Sequence, residues 1–249
     1  MTTLSLNHFD IDAAIVDLDG TLIDTLGDFV LALNLMLADL PEPYCRHRVD
    51  RSSIAHWVGK GSEHLIRQVL ACIQLAHVGA ELASNVERID ALYPSAWASY
   101  ERHYPTVNGK QSVTFAGVEG GLRHLRARGL KLACLTNKPT AFAKELLRLK
   151  GLGGYFECVF GGDAFERKKP SPLPLLKTCD ALGSAPRRTL MIGDSSNDAQ
   201  AARAAGCPVL LVTYGYNHGL PVRSVDADAF VDSLESLAEL PGGGASAAD

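Results

Sequence analysis

The stretch AAIVDLDGTLIDT, residues 13–25, leads from apolar residues directly into two carboxylates and a glycine. The residues before Asp17 are almost all apolar and scarcely alternate with polar ones, which is typical of a strand buried on both faces of a parallel sheet. Asp17 and Asp19 end this strand one residue apart, and Gly20 then turns the chain. Paired carboxylates in this position need an explanation, which the rest of the sequence supplies.

The apolar pattern of the first strand recurs along the chain. It returns in LKLACLT (130–136), CVFGG (158–162), TLMIGD (189–194) and PVLLVTYG (208–215). Helical patterns separate these runs, and glycines follow them as C-terminal stop signals. Strands that alternate with helices predict an α/β fold, a doubly wound parallel sheet with a Rossmann-like core and right-handed crossovers.

Residues 25–109 break this alternation, because their apolar residues follow helical spacing and form no clear strand. The first such series is Leu26, Phe29, Val30, Leu33 and Leu37. We therefore predict an α/β catalytic core formed by residues 1–24 and 110–240, with residues 25–109 inserted as a helical unit. The tail PGGGASAAD, residues 241–249, is rich in glycine, alanine and serine and is expected to be disordered.

Composition and charge exclude several classes of function. The 249 residues carry a formal net charge of -4, whereas nucleic-acid-binding surfaces need basic patches. The N-terminal MTTLSLNHFD lacks the features of a signal peptide, and FVLALNLMLADL (29–40) is too short to span a bilayer. The six cysteines form no C-x-x-C pair that would indicate zinc. We expect a cytoplasmic protein without nucleic-acid or membrane partners, in an oligomeric state that the sequence does not reveal.

Polar residues gather where the predicted strands end. In a parallel sheet, ligands bind at the carboxyl ends of the strands, close to the point where the strand order reverses. The polar residues at these ends and in one connecting loop are Asp17, Asp19, Thr136, Asn137, Lys138, Lys168, Lys169, Asp194 and Asp198. Carboxylates suit Mg2+, while lysine and threonine side chains suit the oxygens of a phosphoryl group. Together they predict phosphoryl transfer with Mg2+ as the cofactor.

The spacing between Asp17 and Asp19 has a mechanistic meaning. Side chains two residues apart in an extended backbone lie on roughly the same side. One carboxylate can attack phosphorus and form an aspartyl phosphate, which divides hydrolysis into two easier steps. Its neighbour can protonate the leaving alcohol and then activate the water that cleaves the intermediate. We therefore predict that this pair is catalytic.

Four motifs resemble those of the haloacid dehalogenase superfamily in its phosphatase form. In chain order they are DLDGTLIDT (17–25), LTNKP (135–139), KKPSPLPLL (168–176) and MIGDSSNDAQAARAAG (191–206). The resemblance implies that the helical insertion is a cap that closes over the site.

The same resemblance implies a role for each matching carboxylate. Asp17 would be the nucleophile, and Asp19 the general acid and base. Mg2+ would be held by the Asp17 carboxylate, the Asp19 backbone carbonyl and the Asp194 carboxylate. Asp198 would support this metal site from behind, unless it only caps the helix that follows.

Substrate binding is assigned by the resemblance as well. Thr136 and Lys169 would bind phosphate, with Asn137 beside them. The stretches LTNKPT, GGD and TYGYNHG, with the third and fourth motifs, are similar to bacterial phosphoglycolate phosphatases, although Ala116 stands where relatives commonly have proline. This similarity implies conversion of 2-phosphoglycolate, a small phosphomonoester, into glycolate and phosphate.

Recognition of the substrate's carboxylate is expected to come from the insertion. Its segment GKGSEHLIR combines flexible glycines with two cations, Lys60 and Arg67. Either one could bind the carboxylate, and a solvated helix face is the alternative interpretation. Within the TYGYNHG loop (213–219), the stretch GYNHG (215–219) is predicted to be a glycine-rich turn without a catalytic role.

Two other functions compete with hydrolysis. Sugar phosphomutases of the same superfamily use the same aspartate pair and a similar cap, but they retain the phosphoryl group. A non-catalytic phosphate-binding or regulatory module is the other alternative. Such a module need not keep both Asp17 and Asp19, so the intact pair argues against it.

Overall fold

The computed structural model describes residues 10–78 and 82–239, so the tail predicted to be disordered, residues 241–249, lies outside the described residues. The strands of the described chain are β1 (Ala13–Val16), β2 (Ile23–Asp24), β3 (Val113–Thr114), β4 (Lys131–Leu135), β5 (Cys158–Phe160), β6 (Thr189–Gly193), β7 (Val209–Val212) and β8 (Ala229–Val231).

Eight α-helices and several short 3-10 turns connect the strands of the described chain. The helices are α1 (Leu26–Ala38), α2 (Arg51–Ile54), α3 (Ser62–Val78), α4 (Leu82–Val107), α5 (Val118–Ala127), α6 (Thr140–Leu149), α7 (Leu173–Leu182) and α8 (Ser196–Ala205). Within the described ranges, none of them is both long enough and apolar enough to cross a membrane.

The main sheet is parallel throughout and has the strand order β5-β4-β1-β6-β7-β8. Strand β1 lies inside it, with Ile15 in register with Ala133 of β4 on one side and Met191 of β6 on the other. Its four residues are fully buried and face alternate layers, which explains why the sequence shows no polar alternation. The predicted doubly wound α/β fold is confirmed.

Helices cover both faces of this sheet. On one face, α5 and α6 pack against β1 through residues such as Leu122 and Leu146. On the other face, α7 and α8 pack through residues such as Leu175 and Ala202. The resulting three layers leave the carboxyl ends of the central strands facing the helices that follow β1.

Two parts of the sheet structure were not predicted. Strand β8 extends the main sheet by only three residues, and its surroundings are rich in aspartate, so the sequence offers no long apolar run. Strands β2 and β3 form a separate antiparallel ribbon of two residues each, on either side of the insertion. Strands this short are recognised by their pairing and not by their composition.

Helices α1 to α4 form a second hydrophobic core within the range predicted for the insertion. It is built from residues such as Leu33, Met36, Ile66, Val69 and Tyr100. A buried carboxylate, Asp28, ties its two ends together by accepting hydrogen bonds from the backbone N–H groups of Gly109 and Gln111 at 2.7 and 2.6 Å. The helices are thus a packed unit beside the sheet, and the proposed boundaries at residues 24/25 and 109/110 stay a prediction.

Candidate active site

The residues that directly follow the central strands lie together at one edge of the sheet. Asp17 follows β1, Thr136 follows β4 and Asp194 follows β6, and these three strands are neighbours. The backbone N–H of Asp17 donates to Ile192 O at 2.9 Å, so the strand pairing holds this residue in place. The sequence prediction of a cluster at the strand ends therefore agrees with the observed placement of these residues.

An inner cluster, consisting of Asp17, Asp194, Asp198 and Lys169, occupies this edge. Lys169 Nζ lies 2.8 Å from Asp17 Oδ1 and 2.7 Å from Asp198 Oδ1. It also donates to the Leu135 carbonyl at 2.8 Å, and its side chain is only 2% exposed. All the positive charge of Lys169 is therefore engaged within the core.

The inner cluster holds more negative charge than one lysine balances. Burial, with the neighbouring Asp198 charge, raises the pKa of Asp17 to about 7 against the opposing effect of Lys169. Burial and the charges of Asp198 and Asp17 likewise raise the pKa of Asp194 well above its ordinary value. Burial alone would lower the pKa of Lys169, but the charges of Asp17 and Asp198 outweigh it and raise that pKa.

This excess of buried carboxylate fits a hard divalent cation. One oxygen from each of Asp17, Asp194 and Asp198 lies within 4.8 Å of the others. Asp198 is already engaged, because its Oδ1 contacts Lys169 and its Oδ2 accepts from Ser195 Oγ at 2.7 Å. Asp17 and Asp194 thus have the greater capacity to bind an ion, as the sequence predicts, and Asp198 both caps α8 and holds Lys169.

Two glycines make room for Asp194. Gly20 has φ +86°, and a Cβ atom there would lie 2.4 Å from Asp194 Oδ2. A Cβ atom at Gly215 would lie 2.2 Å from Asp194 Cβ. Such distances are far below van der Waals contact, so both positions must lack a side chain for Asp194 to keep its place.

Asp19 belongs to a second arrangement, the cap-facing pair, which consists of Asp19 and Lys138. Lys138 Nζ lies 3.0 Å from Asp19 Oδ1, and the lysine side chain is only 1% exposed. The ammonium also lies 4.2 Å from the ring centre of Phe29 and 5.1 Å from that of Tyr104, both in the cap helices. Sequence reasoning placed Lys138 at a strand end but gave it no role, although it is the cation of the LTNKP motif.

Asn137 joins three segments through its side chain. Its Nδ2 donates to the carbonyls of Gly59 and Lys169, both at 2.9 Å, and its Oδ1 accepts from Lys169 N at 3.0 Å. Both amide protons are thus used to link β4, the loop that carries Lys169 and the cap loop. A direct contact of Asn137 with substrate stays a prediction.

Thr136 keeps its hydroxyl proton available for a ligand. The side chain is buried, and its Oγ1 accepts a hydrogen bond of 3.2 Å from the Lys138 backbone N–H. The hydroxyl can still donate, because a threonine oxygen carries one proton as well as its lone pairs. This geometry is compatible with the predicted role in phosphate binding.

Of the two cations predicted to select the substrate, Lys60 lies between Gly59 and Gly61, which line a cavity together with Asp19 and Lys138, whereas Arg67 is engaged within the cap. Arg67 donates to Glu63 at 3.2 Å and to Asp90 at 2.6 Å, and its guanidinium stacks over Tyr93. Lys60 is exposed. In this arrangement, Arg67 links helices α3 and α4 of the cap.

Tyr216, in the TYGYNHG loop after β7, has a contact role that the sequence analysis missed. Its backbone N–H donates to Asp194 Oδ2 at 2.7 Å. Its hydroxyl accepts from Thr25 N and donates to Asp24 Oδ1, both at 2.9 Å. The loop therefore connects the inner cluster with Asp24 and Thr25, where the chain enters the cap. The position of this loop after a strand was the signal that the sequence offered.

Comparison with known proteins identifies relatives of the whole chain. A family model described as haloacid dehalogenase-like hydrolase matches residues 11–206. The phosphoglycolate phosphatase of Thiobacillus denitrificans is 44% identical over 228 residues, which cover 92% of this chain and 94% of that protein. The plasmid phosphoglycolate phosphatase of Cupriavidus necator is 43% identical over 240 residues, covering 96% of each chain. The resemblance drawn from the sequence motifs is confirmed.

Solved structures share the fold. A crystal structure described as a predicted phosphoglycolate phosphatase from Haemophilus somnus is 27% identical, with a TM-score of 0.81 over 94% of this chain and 99% of that one. A putative beta-phosphoglucomutase from Thermotoga maritima is 22% identical, with a TM-score of 0.65 over 92% of this chain and 98% of that one. The fold alone therefore does not distinguish a phosphatase from a mutase.

Proposed function

This chain belongs to the haloacid dehalogenase-like hydrolase family, and from that membership we propose that it is a Mg2+-dependent phosphomonoesterase that converts 2-phosphoglycolate into glycolate and phosphate. Relatives that are 44% and 43% identical and carry the name phosphoglycolate phosphatase support the choice of substrate. One observation supports this type of reaction above the others: two nearby carboxylates pair with different lysines. Asp17 pairs with Lys169, and Asp19 pairs with Lys138.

Asp17 acts as the nucleophile in this proposal. Its carboxylate attacks phosphorus, the bond from phosphorus to the ester oxygen breaks, and an aspartyl phosphate forms. Lys169, 2.8 Å from Asp17 Oδ1, keeps the carboxylate oriented and binds a phosphoryl oxygen of the substrate in this proposal. The Thr136 hydroxyl donates to a phosphoryl oxygen. The carboxylates of Asp17 and Asp194 and the backbone carbonyl of Asp19 would hold a Mg2+ ion, which would supply positive charge to the phosphoryl group.

Asp19 moves the protons. It protonates the ester oxygen as the alcohol leaves, and it then takes a proton from the water that hydrolyses the aspartyl phosphate. Its side chain suits this task because it points towards the cap helices, beside Lys138 and the rings of Phe29 and Tyr104. Asp17 and Asp19 thus have separate functions in separate surroundings, although only one residue divides them.

The test is phosphate release from a panel of small phosphomonoesters. We expect 2-phosphoglycolate to be hydrolysed with the highest kcat/KM, and activity to be lost with a chelator and restored by Mg2+. The assay contains no sugar bisphosphate, because a mutase needs such an activator and retains the phosphoryl group. Isomerisation of a sugar phosphate without release of phosphate would favour the mutase, and phosphate binding without turnover would favour a regulatory module.

A further inference from the structure

Lys138 is a buried cation whose capacity for partners is only partly used. Its ammonium carries three protons. One points to Asp19 at 3.0 Å, and the charge otherwise faces the aromatic rings of Phe29 and Tyr104. Lys169 differs, because two carboxylates and a backbone carbonyl surround it. Of these two lysines, Lys138 has the larger unused capacity for a further anion.

A small cavity lies beside Lys138, between the core and the cap. Asp19 and Lys138 form its floor, and Phe29, Gly59, Ser62 and other cap residues form its walls. Its volume of about 20 Å³ is enough for one water molecule only. A leaving group therefore fits this space only when the cap and core walls of the cavity move apart.

Two buried tyrosines lie close to Lys138, since the ring of Tyr104 contacts its ammonium and Tyr100 stacks on Tyr104. Within the described chain, the hydroxyl of Tyr104 is buried without a hydrogen-bond partner, and the buried hydroxyl of Tyr100 lies close to Ser62. Burial raises the pKa of Tyr100, and the charges of Lys138 and Asp19 and the Ser62 side chain are close enough to affect it. Unpaired buried donors are costly, so they indicate a site that a polar ligand can satisfy.

The geometry of the reaction limits where the carboxylate of the substrate lies. Asp19 protonates the ester oxygen in the proposed mechanism, so that oxygen must come within hydrogen-bond distance of the Asp19 carboxyl. In 2-phosphoglycolate the carboxylate is attached to the carbon next to the ester oxygen. It must therefore lie within a few bond lengths of Asp19, and the ammonium of Lys138 is 3.0 Å from Asp19 Oδ1.

We propose that Lys138 determines specificity by binding the carboxylate of the leaving group, which selects phosphomonoesters with a carboxylate on the carbon next to the ester oxygen. This inference rests on the proposed function, because it places Asp19 at the ester oxygen. It assigns carboxylate recognition to the core lysine of LTNKP and leaves Lys60 and Arg67 without this role. The hydroxyls of Tyr100 and Ser62 would complete the polar surroundings.

The test measures the preference for a carboxylate over an uncharged isostere. We compare kcat/KM for 2-phosphoglycolate with that for 2-phosphoglycolamide, in which a carboxamide replaces the carboxylate. Lys138→Met should lower the ratio of the two values roughly ten- to a hundredfold, the worth of one charge-assisted hydrogen bond. Lys138→Arg keeps the charge and should retain most of the preference. Lys144→Met, which removes an exposed lysine of α6, serves as the matched control and should leave the ratio unchanged.

A role through Asp19 alone gives a different result. If Lys138 only orients Asp19, Lys138→Met lowers both values equally, the ratio stays constant and the inference is overturned. Equilibrium binding in an Asp17→Asn background measures the same preference without turnover, and an unchanged ratio of dissociation constants on adding Lys138→Met also overturns it. The wild-type values test the proposed function separately: phosphatase activity without preference for the carboxylate would refute the inference and leave the phosphomonoesterase standing.

Discussion

The inner cluster and the cap-facing pair each bury a charged lysine beside carboxylates, but they balance its charge in different ways. In the inner cluster, one lysine contacts two of three clustered carboxylates and a backbone carbonyl, all from the core. In the cap-facing pair, one lysine meets one carboxylate, and aromatic rings of the cap supply the remaining contacts. Both lysines are almost fully buried, so exposure does not distinguish them.

The difference indicates that the two arrangements bind ligands of opposite charge. An excess of carboxylate over lysine leaves room for an added cation, and the inner cluster has that excess. A lysine with a single carboxylate partner leaves room for an added anion, and the cap-facing pair has that capacity. Cap residues line the cavity beside the second arrangement, so the part of the substrate that varies between esters is expected to lie there.

Asp17→Asn should have the largest effect on activity. The amide is nearly isosteric but a poor nucleophile, so kcat/KM is expected to fall roughly 10,000-fold or more, with the fold intact. Rapid acid quenching of a reaction with labelled substrate should trap phosphate on the wild-type protein and none on the variant. Near-normal turnover by the variant would remove Asp17 as the nucleophile.

Asp19→Asn should cost on the order of 100- to 10,000-fold, the usual contribution of a positioned general acid or base. The loss should be smaller for an aryl phosphate, because a good leaving group needs less protonation. Mg2+ binding, followed by calorimetry, should survive, since this residue is proposed to bind the ion through its backbone carbonyl. Equal losses for aryl and alkyl phosphates would contradict the acid role.

Gly215→Ala tests whether the inner cluster depends on its backbone surroundings. The new Cβ would lie 2.2 Å from Asp194 Cβ, so Asp194 must move. We expect activity to fall roughly ten- to a hundredfold, because small displacements of a site residue are costly, and the Mg2+ concentration for half-maximal activity to rise. Gly154→Ala is the control, since a Cβ there meets nothing within 4 Å. Equal behaviour of the two variants would show that Asp194 tolerates displacement.

The pH dependence of stability should reveal the excess charge of the inner cluster. Burial raises the pKa of Asp17 from 3.8 to about 7, so the folded protein binds this proton more tightly than the unfolded chain does. Proton binding by Asp17 therefore adds to the free energy of unfolding. This contribution is fully present below about pH 4 and is lost as the pH rises through about 7. We therefore expect the Tm of chelator-treated protein to fall over this range, and the fall to be smaller in Asp17→Asn.

Added Mg2+ provides the complementary measurement. A cation bound by the ionised carboxylates stabilises the folded state, so it should raise the Tm most at the high end of this range. A Tm of the chelator-treated protein that is flat between about pH 4 and 7, with no response to Mg2+, would contradict the assignment of uncompensated charge to this cluster.

Arg67→Met should have the smallest effect. The guanidinium is engaged by Glu63 of α3 and Asp90 of α4, and such partly exposed pairs contribute about 1 kcal/mol or less. We expect kcat/KM for 2-phosphoglycolate to stay within about twofold of the wild-type value. A tenfold lower kcat/KM for 2-phosphoglycolate, with that for an aryl phosphate unaffected, would show that Arg67 of the cap recognises the carboxylate.

The strand-end residues were accessible from the sequence because their signal is local. Asp17, Thr136 and Asp194 each follow a continuous apolar run, and parallel strands bring such ends to one edge. Strand β8 was not accessible in this way, because three residues carry too little pattern, and its assignment depends on pairing with β7. The contact of Tyr216 with Asp194 was missed although its loop also follows a strand, because the contact is made by the backbone N–H and not by the side chain that the sequence displays.

The sequence by itself determined the α/β class, the helical insertion and the order of the four motifs, since hydrophobic periodicity and motif spacing are properties of the chain. Only the tertiary structure decided which cation meets which carboxylate. Nothing in the residue order predicts that Lys169 joins Asp17 while Lys138 joins Asp19 under the cap. The physical reason is that electrostatic interactions depend on distance and burial, and both are set by how the core and cap helices pack around these side chains.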